Sequence, residues 1–263
     1  MKNDVIINGV SLSQLESTGI AAAMVAADIL TDGFYSKPEI KFKTGKYDIV
    51  TPFDLKAENA IIKRISEDFP EHSFYGEENG QQGDLENQIT WVIDPIDGTL
   101  NFARQIPSFS TSIACVYKGI TYVAICFDPL AKELFIAKKG FGSYMNGQKL
   151  EISPVANLED SGISLGLTVG LEKIKEIGFI RRTGSSVLDI CYVGKGALEG
   201  YIEFSLNLWD FAASKLIVEE AGGKVTTING DMITPSFKTT SSIIASNGLI
   251  HKELLQWISM VKQ

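Results

Sequence analysis

Apolar positions repeat along this chain with two periods. Between Ser108 and Ala137 they run as "SFSTSIACVY", "ITYVAICF" and "ELFIAKK", alternating segments rich in β-branched and aromatic residues, with Lys118-Gly119 and Asp128-Pro129 as turn signals. That pattern predicts antiparallel sheet. Asn146-Gly147, inside "SYMNGQKLEI", adds a tight hairpin, because both residues tolerate the left-handed backbone of a two-residue turn. Elsewhere the spacing is helical. Ser11 to about Tyr35 reads as one helix: Ser11-x-x-Gln14 and Ser13-x-x-Glu16 both fit a capping box, and Gly33 is a stop signal. Asp54 to Phe69 reads as a second, with Ile61, Ile62, Ile65 and Phe69 on one face and Pro70 beyond its end. "HSFYGEENG" is a short strand running into a loop, and Gln88 to Ile93 is a strand of the buried type.

The second half continues in the same manner. "SGISLGL" is a strand, followed by a short helix near Gly170–Ile177 and a longer one from about Ser185 to Leu198. "GYIEF" is a strand, and Asp210 to Ala221 is a helix ended by Gly222-Gly223. "KVTTI" and "SSIIAS" are strands, and a last helix runs to about Val261. Strands followed by helices, mixed with antiparallel hairpins, predict an α+β architecture of sheets layered with helices. Strand order is not readable at this level.

Composition narrows the chemistry. The chain has 263 residues, 44% hydrophobic and 21% charged, which fits a globular protein with a sizeable core. No apolar run reaches the roughly 18 residues expected of a membrane helix, and "MKNDVIING" lacks the basic-then-apolar layout of a signal peptide. Cys115, Cys126 and Cys191 are odd in number and have no metal-ligand spacing. They are expected to be buried small hydrophobes in a reducing cytoplasm. The net charge of −8, with no clustered basic patch, points away from nucleic acid and membranes as partners. An acidic chain still binds an anionic substrate where metal ions reverse the local sign. The only histidines are His72 and His251, so a Ser-His-Asp hydrolase or a His-rich zinc site has little to work with. Carboxylates, hydroxyls and metals remain.

The acidic residues stand where apolar elements stop. In "WVIDPIDGTLNF", from Trp91 to Phe102, Asp94 and Asp97 close the strand "TWVI". Asp54 opens a helix after "YDIVT", Glu77 and Glu78 close "SFYG", and Asp210 opens a helix after "LNLW". Each has a plain structural reading too: Asp54 and Asp210 as helix caps, Glu77-Glu78 as a solvated loop, Asp-x-x-Asp-Gly as a turn, and Trp209 as packing. Taken together they form a candidate metal-phosphate site. Oxygen ligands without His or Cys favour Mg²⁺ or Mn²⁺, and carboxylates gathered in one place need cations to relieve their repulsion. Pro95 fixes a turn and leaves the Ile96 carbonyl free to face a metal. A helix starting after Gly98 would aim backbone N–H groups at a phosphate.

The segments "DIVTPFD" (48–54), "YGEE" (75–78), "WVIDPIDGTLNF" (91–102), "RRTGSSVLDICYV" (181–193) and "LWDFAASKLIVEEAGG" (208–223), with "NGQKLEIS" (146–153), resemble the inositol monophosphatase family of Mg²⁺-dependent, lithium-sensitive phosphatases. Order and spacing agree along nearly the whole chain. The resemblance implies a layered αβαβα sandwich, shared with fructose-1,6-bisphosphatase. It implies one catalytic unit over 1–263, with most metal ligands in a half spanning about 1–150 and Asp210 with the substrate wall in 151–263. It also implies a homodimer. By the family's pattern Glu77, Asp94 and the Ile96 carbonyl match one metal site, and Asp94, Asp97 and Asp210 a second. Glu77 also matches a ligand of a third, weaker ion. Thr99, paired with Asp54, and Glu77 match the groups that position and deprotonate water. Gly98 and Thr99 match the phosphate cradle, with Asp97 shared between metal and substrate. Gly184, Ser185, Ser186 and Glu203 match contacts to the alcohol.

The implied substrate is a small phosphate monoester of a polyol or sugar, such as inositol monophosphate. Fructose-1,6-bisphosphate, phosphoadenosine phosphate and dinucleotide phosphates are rivals within the same chemistry. A catalytically silent binding protein would be expected to lack one of these ligands, and none is missing. Two departures bear on the alcohol. Only 13 residues, "TVGLEKIKEIGFI", separate "SLGL" from "RRTG", where family members usually have more, and Asn207 stands where some animal members have His.

Overall fold

The computed structural model describes residues 4–36, 38–45, 48–166 and 177–261. A small hairpin, β1 (Ile6–Ile7) and β2 (Val10–Ser11), leads into α1 (Leu12–Tyr35). Of the two capping boxes the sequence offers, Ser11/Gln14 forms, each side chain accepting the other's backbone N–H. Ser13 is already inside the helix. A second hairpin pairs β3 (Lys41–Gly45), which no sequence signal marks, with β4 (Asp48–Val50), which falls in the strand-like "YDIVT". It leads into α2 (Pro52–Asp68), which starts earlier than its apolar face indicates. Thr51 is the cap and Pro52 the first residue, so Asp54 sits in the first turn and does not open the helix.

The main sheet is built from β5 (Ser73–Gly76), β6 (Gly80–Gln82), β7 (Thr90–Asp97), β8 (Ser110–Tyr117), β9 (Ile120–Asp128), β10 (Glu133–Lys138), β11 (Gly142–Met145) and β12 (Gln148–Lys149). Its order is β12-β11-β10-β9-β8-β7-β5-β6, with β5 and β7 the parallel pair. Asn146 and Gly147 have φ of 49° and 79° at the predicted hairpin. A short helix, α3 (Thr99–Ala103), follows β7.

The smaller sheet takes β13 (Gly162–Leu165), β14 (Phe179–Arg181), β15 (Gly200–Leu206), β16 (Lys224–Thr226) and β17 (Ser241–Ser246) in the order β14-β13-β15-β17-β16. Between and after its strands lie α4 (Ser186–Gly194), α5 (Ala212–Glu220) and α6 (His251–Val261). The α4 helix stops short of the predicted Leu198, because the Lys195 and Leu198 N–H groups close onto the Cys191 and Tyr192 carbonyls and Gly196 turns left-handed. Asp210 ends a 3-10 turn, Leu208–Asp210, and α5 begins only at Ala212. The predicted helix near Gly170–Ile177, with most of the short 168–180 segment, lies outside the described residues.

Three hydrophobic clusters fill the four interfaces between five layers, one cluster lying on both sides of α4 and α5, so the fold is the αβαβα sandwich. Period-2 alternation sorts the main sheet's side chains. Trp91, Ile93, Ile113, Cys115 and Ile125 face α1 and α2, with Ala22, Leu30, Ile61 and Ile65. Val92, Ala114, Ala124, Cys126 and Phe135 face α4 and α5, whose other side meets Tyr201, Ile243 and Ala245 of the smaller sheet. Ile163, Ile202 and Ile244 turn outward onto Leu254, Trp257 and Ile258 of α6. Gly19 lets α1 lie against the main sheet, since a Cβ there would stand 2.5 Å from Ile125 Cδ1. All three cysteines are buried and free. Among the described residues no helix is long and apolar enough to cross a membrane. Ile61 is fully buried between α1 and the main sheet. Ile61→Ala is expected to lower the unfolding free energy by about 2–5 kcal/mol, read as an earlier urea midpoint at unchanged slope.

Candidate active site

Asp94 and Asp97 are three residues apart, so in a regular strand they would point to opposite faces. The β7–β8 register shifts between them, from Asp94 opposite Ser112 to Asp97 opposite Ser110. Such an irregularity re-aims side chains, and here it brings both carboxylates to one side. Pro95, which has no N–H to leave unpaired, occupies the irregular stretch, and Thr111 donates its hydroxyl to the Pro95 carbonyl at 2.9 Å. Asp210 arrives from the 3-10 turn after β15. Oxygens of Asp94, Asp97 and Asp210 lie within 4.8 Å of one another.

Each of the three is held by backbone from its own direction. Asp94 accepts the Ile96 N–H at 3.0 Å. Asp97 accepts the Val187 N–H at 2.9 Å and the Ser185 hydroxyl, both at the start of α4. Asp210 accepts the Asn207 N–H at 2.7 Å. Among the described residues no Lys or Arg pairs with any of them. Burial, and then the neighbouring charges of Glu77 and the other aspartates, hold Asp94 well above the usual carboxylate range. Burial and then Asp97 do the same to Asp210. Asp97 is pushed up to about 7, mainly by burial, with its hydrogen bonds to Ser185 and Val187 opposing. An oxygen-only set that resists ionisation and has no internal cation fits hard divalent ions such as Mg²⁺.

Glu77 follows β5 and stands at the edge of this trio. Its carboxylate pairs with Lys43 at 2.9 Å, and the same ammonium holds Glu78 at 2.6 Å. Burial brings Glu78 up to about 7. Thr99 Oγ1 lies 2.9 Å from the Ile96 carbonyl and 3.2 Å from Asp54 Oδ1. The other Asp54 oxygen accepts from the Thr51 N–H at 2.7 Å and the Thr51 hydroxyl at 2.6 Å. Burial raises Asp54 to about 6. Asp54 therefore completes the Thr51 capping box and also reaches Thr99. Gly98 is left-handed, with φ of 94°, and a Cβ there would lie 3.1 Å from the Ser108 carbonyl and 3.2 Å from the Gly184 carbonyl. Only glycine satisfies both demands.

The expected alcohol contacts are placed less uniformly. Gly184 comes against Gly98. The Ser185 hydroxyl donates to Asp97 and accepts the Leu188 N–H, which leaves it no hydrogen to donate to a ligand. Ser186 accepts the Tyr201 hydroxyl at 2.8 Å and keeps its own hydrogen. A Glu203 oxygen accepts the Phe204 N–H at 2.7 Å, and the carboxylate stands close enough to Gly166 to leave no room for a Cβ. Trp209 is packing: its ring lies 5.1 Å from that of Tyr75. Sequence reasoning missed Lys43, Thr51 and Glu58. Thr51-x-x-Asp54 fits a capping box and could have shown Thr51, and Glu58 one turn past Asp54 is a second acidic residue on that helix face.

A layered αβαβα sandwich with buried carboxylates gathered where β7 ends defines a class of acidic, cation-requiring sites. The family model for the inositol monophosphatase family matches residues 11–262. The Nus factor SuhB of Escherichia coli strain K12 is 34% identical over 249 residues, covering 90% of this chain and 92% of that protein. The solved Thermotoga maritima IMPase superposes with a TM-score of 0.88 at 33% identity, covering 95% of this chain and 98% of that one. An IMPase/NADP phosphatase solved with Mg²⁺ and phosphate superposes with a TM-score of 0.85 at 27% identity, covering 94% and 95% of the two chains. The chain belongs to the inositol monophosphatase family.

The buried acids make stability depend on pH with a definite sign. Folded Asp54 and Asp97 sit at about 6 and about 7 against a reference of 3.8. The metal-free fold therefore binds more protons than the unfolded chain between about pH 4 and 7, and loses stability as pH climbs through that window. In EDTA, melting temperature is expected to fall from pH 5 to pH 8. Asp94→Asn, which removes a buried charge, should melt several degrees above the unaltered chain at pH 8, and by less at pH 5. A flat profile would contradict the assignment of these carboxyls as unneutralised.

Proposed function

We propose that this chain is a Mg²⁺-dependent phosphomonoesterase for a small polyol or sugar phosphate such as inositol monophosphate, hydrolysed by direct attack of water. The observation that carries this reading is the convergence of Asp94, Asp97 and Asp210 beside the Thr99–Asp54 pair. Asp94, Asp97, Asp210, Glu77 and the Ile96 carbonyl would hold two or three ions, with Mn²⁺ as a substitute. Bound ions of this kind neutralise phosphate charge and lower the pKa of water.

The protein's own groups do the remainder. Thr99 has one hydroxyl hydrogen and two acceptors in reach. Giving it to Asp54 frees the Ile96 carbonyl and turns a Thr99 lone pair toward water. Glu77 then accepts the proton that the water loses. The turn at Gly98 and Thr99 would hold the phosphate against ions on the trio, with Asp97, fixed by α4, shared between ion and substrate. Ser186, Gly184 and Glu203 face the alcohol; Ser185 acts through Asp97.

The reading includes a cytoplasmic homodimer as its working form. Fructose-1,6-bisphosphatase, nucleotide 3′-phosphatase and dinucleotide phosphatase activities are the alternatives, and likeness to the IMPase/NADP phosphatase supports the last. The name Nus factor, carried by the SuhB relatives, supports a second reading, in which the chain also acts through a macromolecular partner. Phosphate release from a panel of these monoesters with Mg²⁺ separates the substrates. Asp94→Asn is expected to lower turnover by at least about 10³-fold, on the scale of losing a principal electrostatic group, while the fold persists by circular dichroism. Undiminished turnover in that variant would remove the site assignment. No release from any monoester by the unaltered chain would favour the second reading.

A further inference from the structure

Glu58 lies one helical turn beyond Asp54 on α2, so both carboxylates leave the helix on the same side. Asp54 reaches Thr99. Glu58 is fully buried and accepts two successive backbone N–H groups, Glu78 at 2.9 Å through one oxygen and Asn79 at 2.8 Å through the other. Among the described residues no Lys or Arg pairs with it. Burying a carboxylate without a cation is costly, and the two charge-assisted hydrogen bonds offset that cost. The preceding residue is fitted to the same clamp, since a methyl group on Gly76 would run into the Glu58 carboxylate. Glu77 stands between these fixed points, and its own N–H donates to the Ile93 carbonyl at 3.1 Å. Its backbone is therefore pinned on both sides, to β7 and to α2.

We propose that Glu58 is a positioning residue for Glu77: by gripping the amides of Glu78 and Asn79 it sets where the Glu77 carboxylate stands relative to Asp94 and the Thr99–Asp54 pair. The two sides of the water-handling edge are thereby referenced to one rigid helix, Thr99 through Asp54 and Glu77 through Glu58. The inference rests on the phosphatase reading above and adds to it a residue with no expected contact to metal or substrate.

Glu58→Gln tests this, because it keeps the shape and replaces one acceptor oxygen with an NH₂ that faces a backbone donor. The Mg²⁺ concentration giving half-maximal activity is expected to rise by about 10–100-fold, as for other groups that orient metal ligands. The Michaelis constant for the monoester at saturating Mg²⁺ should stay nearly unchanged. Without substrate, the Mg²⁺-dependent rise in melting temperature should shift to the same higher concentrations. Hydrogen exchange at the Glu78 and Asn79 amides should accelerate. Gly76→Ala, which leaves the carboxylate present but displaces it, should reproduce the shift, and the two changes should combine less than additively. If the folded variants take up Mg²⁺ as the unaltered chain does, while the amides exchange faster, Glu58 only closes a turn and the proposal fails. If the unaltered chain itself shows no Mg²⁺-dependent stabilisation, the phosphatase reading fails first, and this inference with it.

Discussion

Three carboxylates, two of them buried and the third half-buried, with oxygens within 4.8 Å of one another repel each other and have lost most of their water. No side-chain cation relieves them among the described residues, so the fold has to hold the trio against its own electrostatics. It does so with backbone N–H groups from three separate elements: Ile96 at the irregular end of β7, Val187 at the start of α4, and Asn207 at the 3-10 turn. Ile96 and Val187 are themselves buried in the apolar layers, so the packing that fixes these donors does not depend on charge, and the charge of the trio suits it to a divalent ion.

The same constraint explains how the two sheets are joined. Asp97 belongs to the main sheet, yet its partners Ser185 and Val187 belong to the helix layer leading into the smaller one. Asn101, just beyond Asp97, donates to both the Ser108 and Thr183 carbonyls, and Ser112 donates to the Trp209 carbonyl. These polar bonds join the halves at the acidic cluster, while Glu220 accepting the Gly140 and Gly142 N–H groups and Lys195 paired with Glu133 join them elsewhere, and the apolar contact is spread over α4 and α5.

Much of this was legible in the sequence because the strong signals are local. The alternation in 108–137, the Asn146-Gly147 turn and the Ser11 cap each state their own structure. So does the placing of acids at element ends, which singles out Asp94, Asp97, Asp210, Asp54 and Glu77 as one candidate group. What was not legible depends on partners remote in sequence. Asp54 and Asp210 look like cap residues from their positions, but the caps are Thr51 and Asn207, and the acids serve as their third-position partners. Glu58 and Lys43 look like surface charges on a helix and a strand until the loop at 77–79 folds over them. The β7 irregularity is invisible too: periodicity places Asp94 and Asp97 on opposite faces, and only the pairing with β8 reverses that.

The hydroxyls show how unequal the two sides of the site are. Two serines at the start of α4 look like a matched pair for a polyol. Ser185 spends its one hydrogen on Asp97 and accepts the Leu188 N–H, so it has no hydrogen left to donate and belongs to the acidic side. Ser186 retains a hydrogen after accepting from Tyr201, so it is the one able to meet an alcohol. Under the phosphatase reading, the phosphate end is held by several acids, each accepting backbone N–H groups, while at the alcohol end, among the described residues, the Ser186 hydroxyl keeps a hydrogen that can turn to meet its ligand. A site built this way is strict about the phosphoryl group and its geometry and permissive about what the group is attached to.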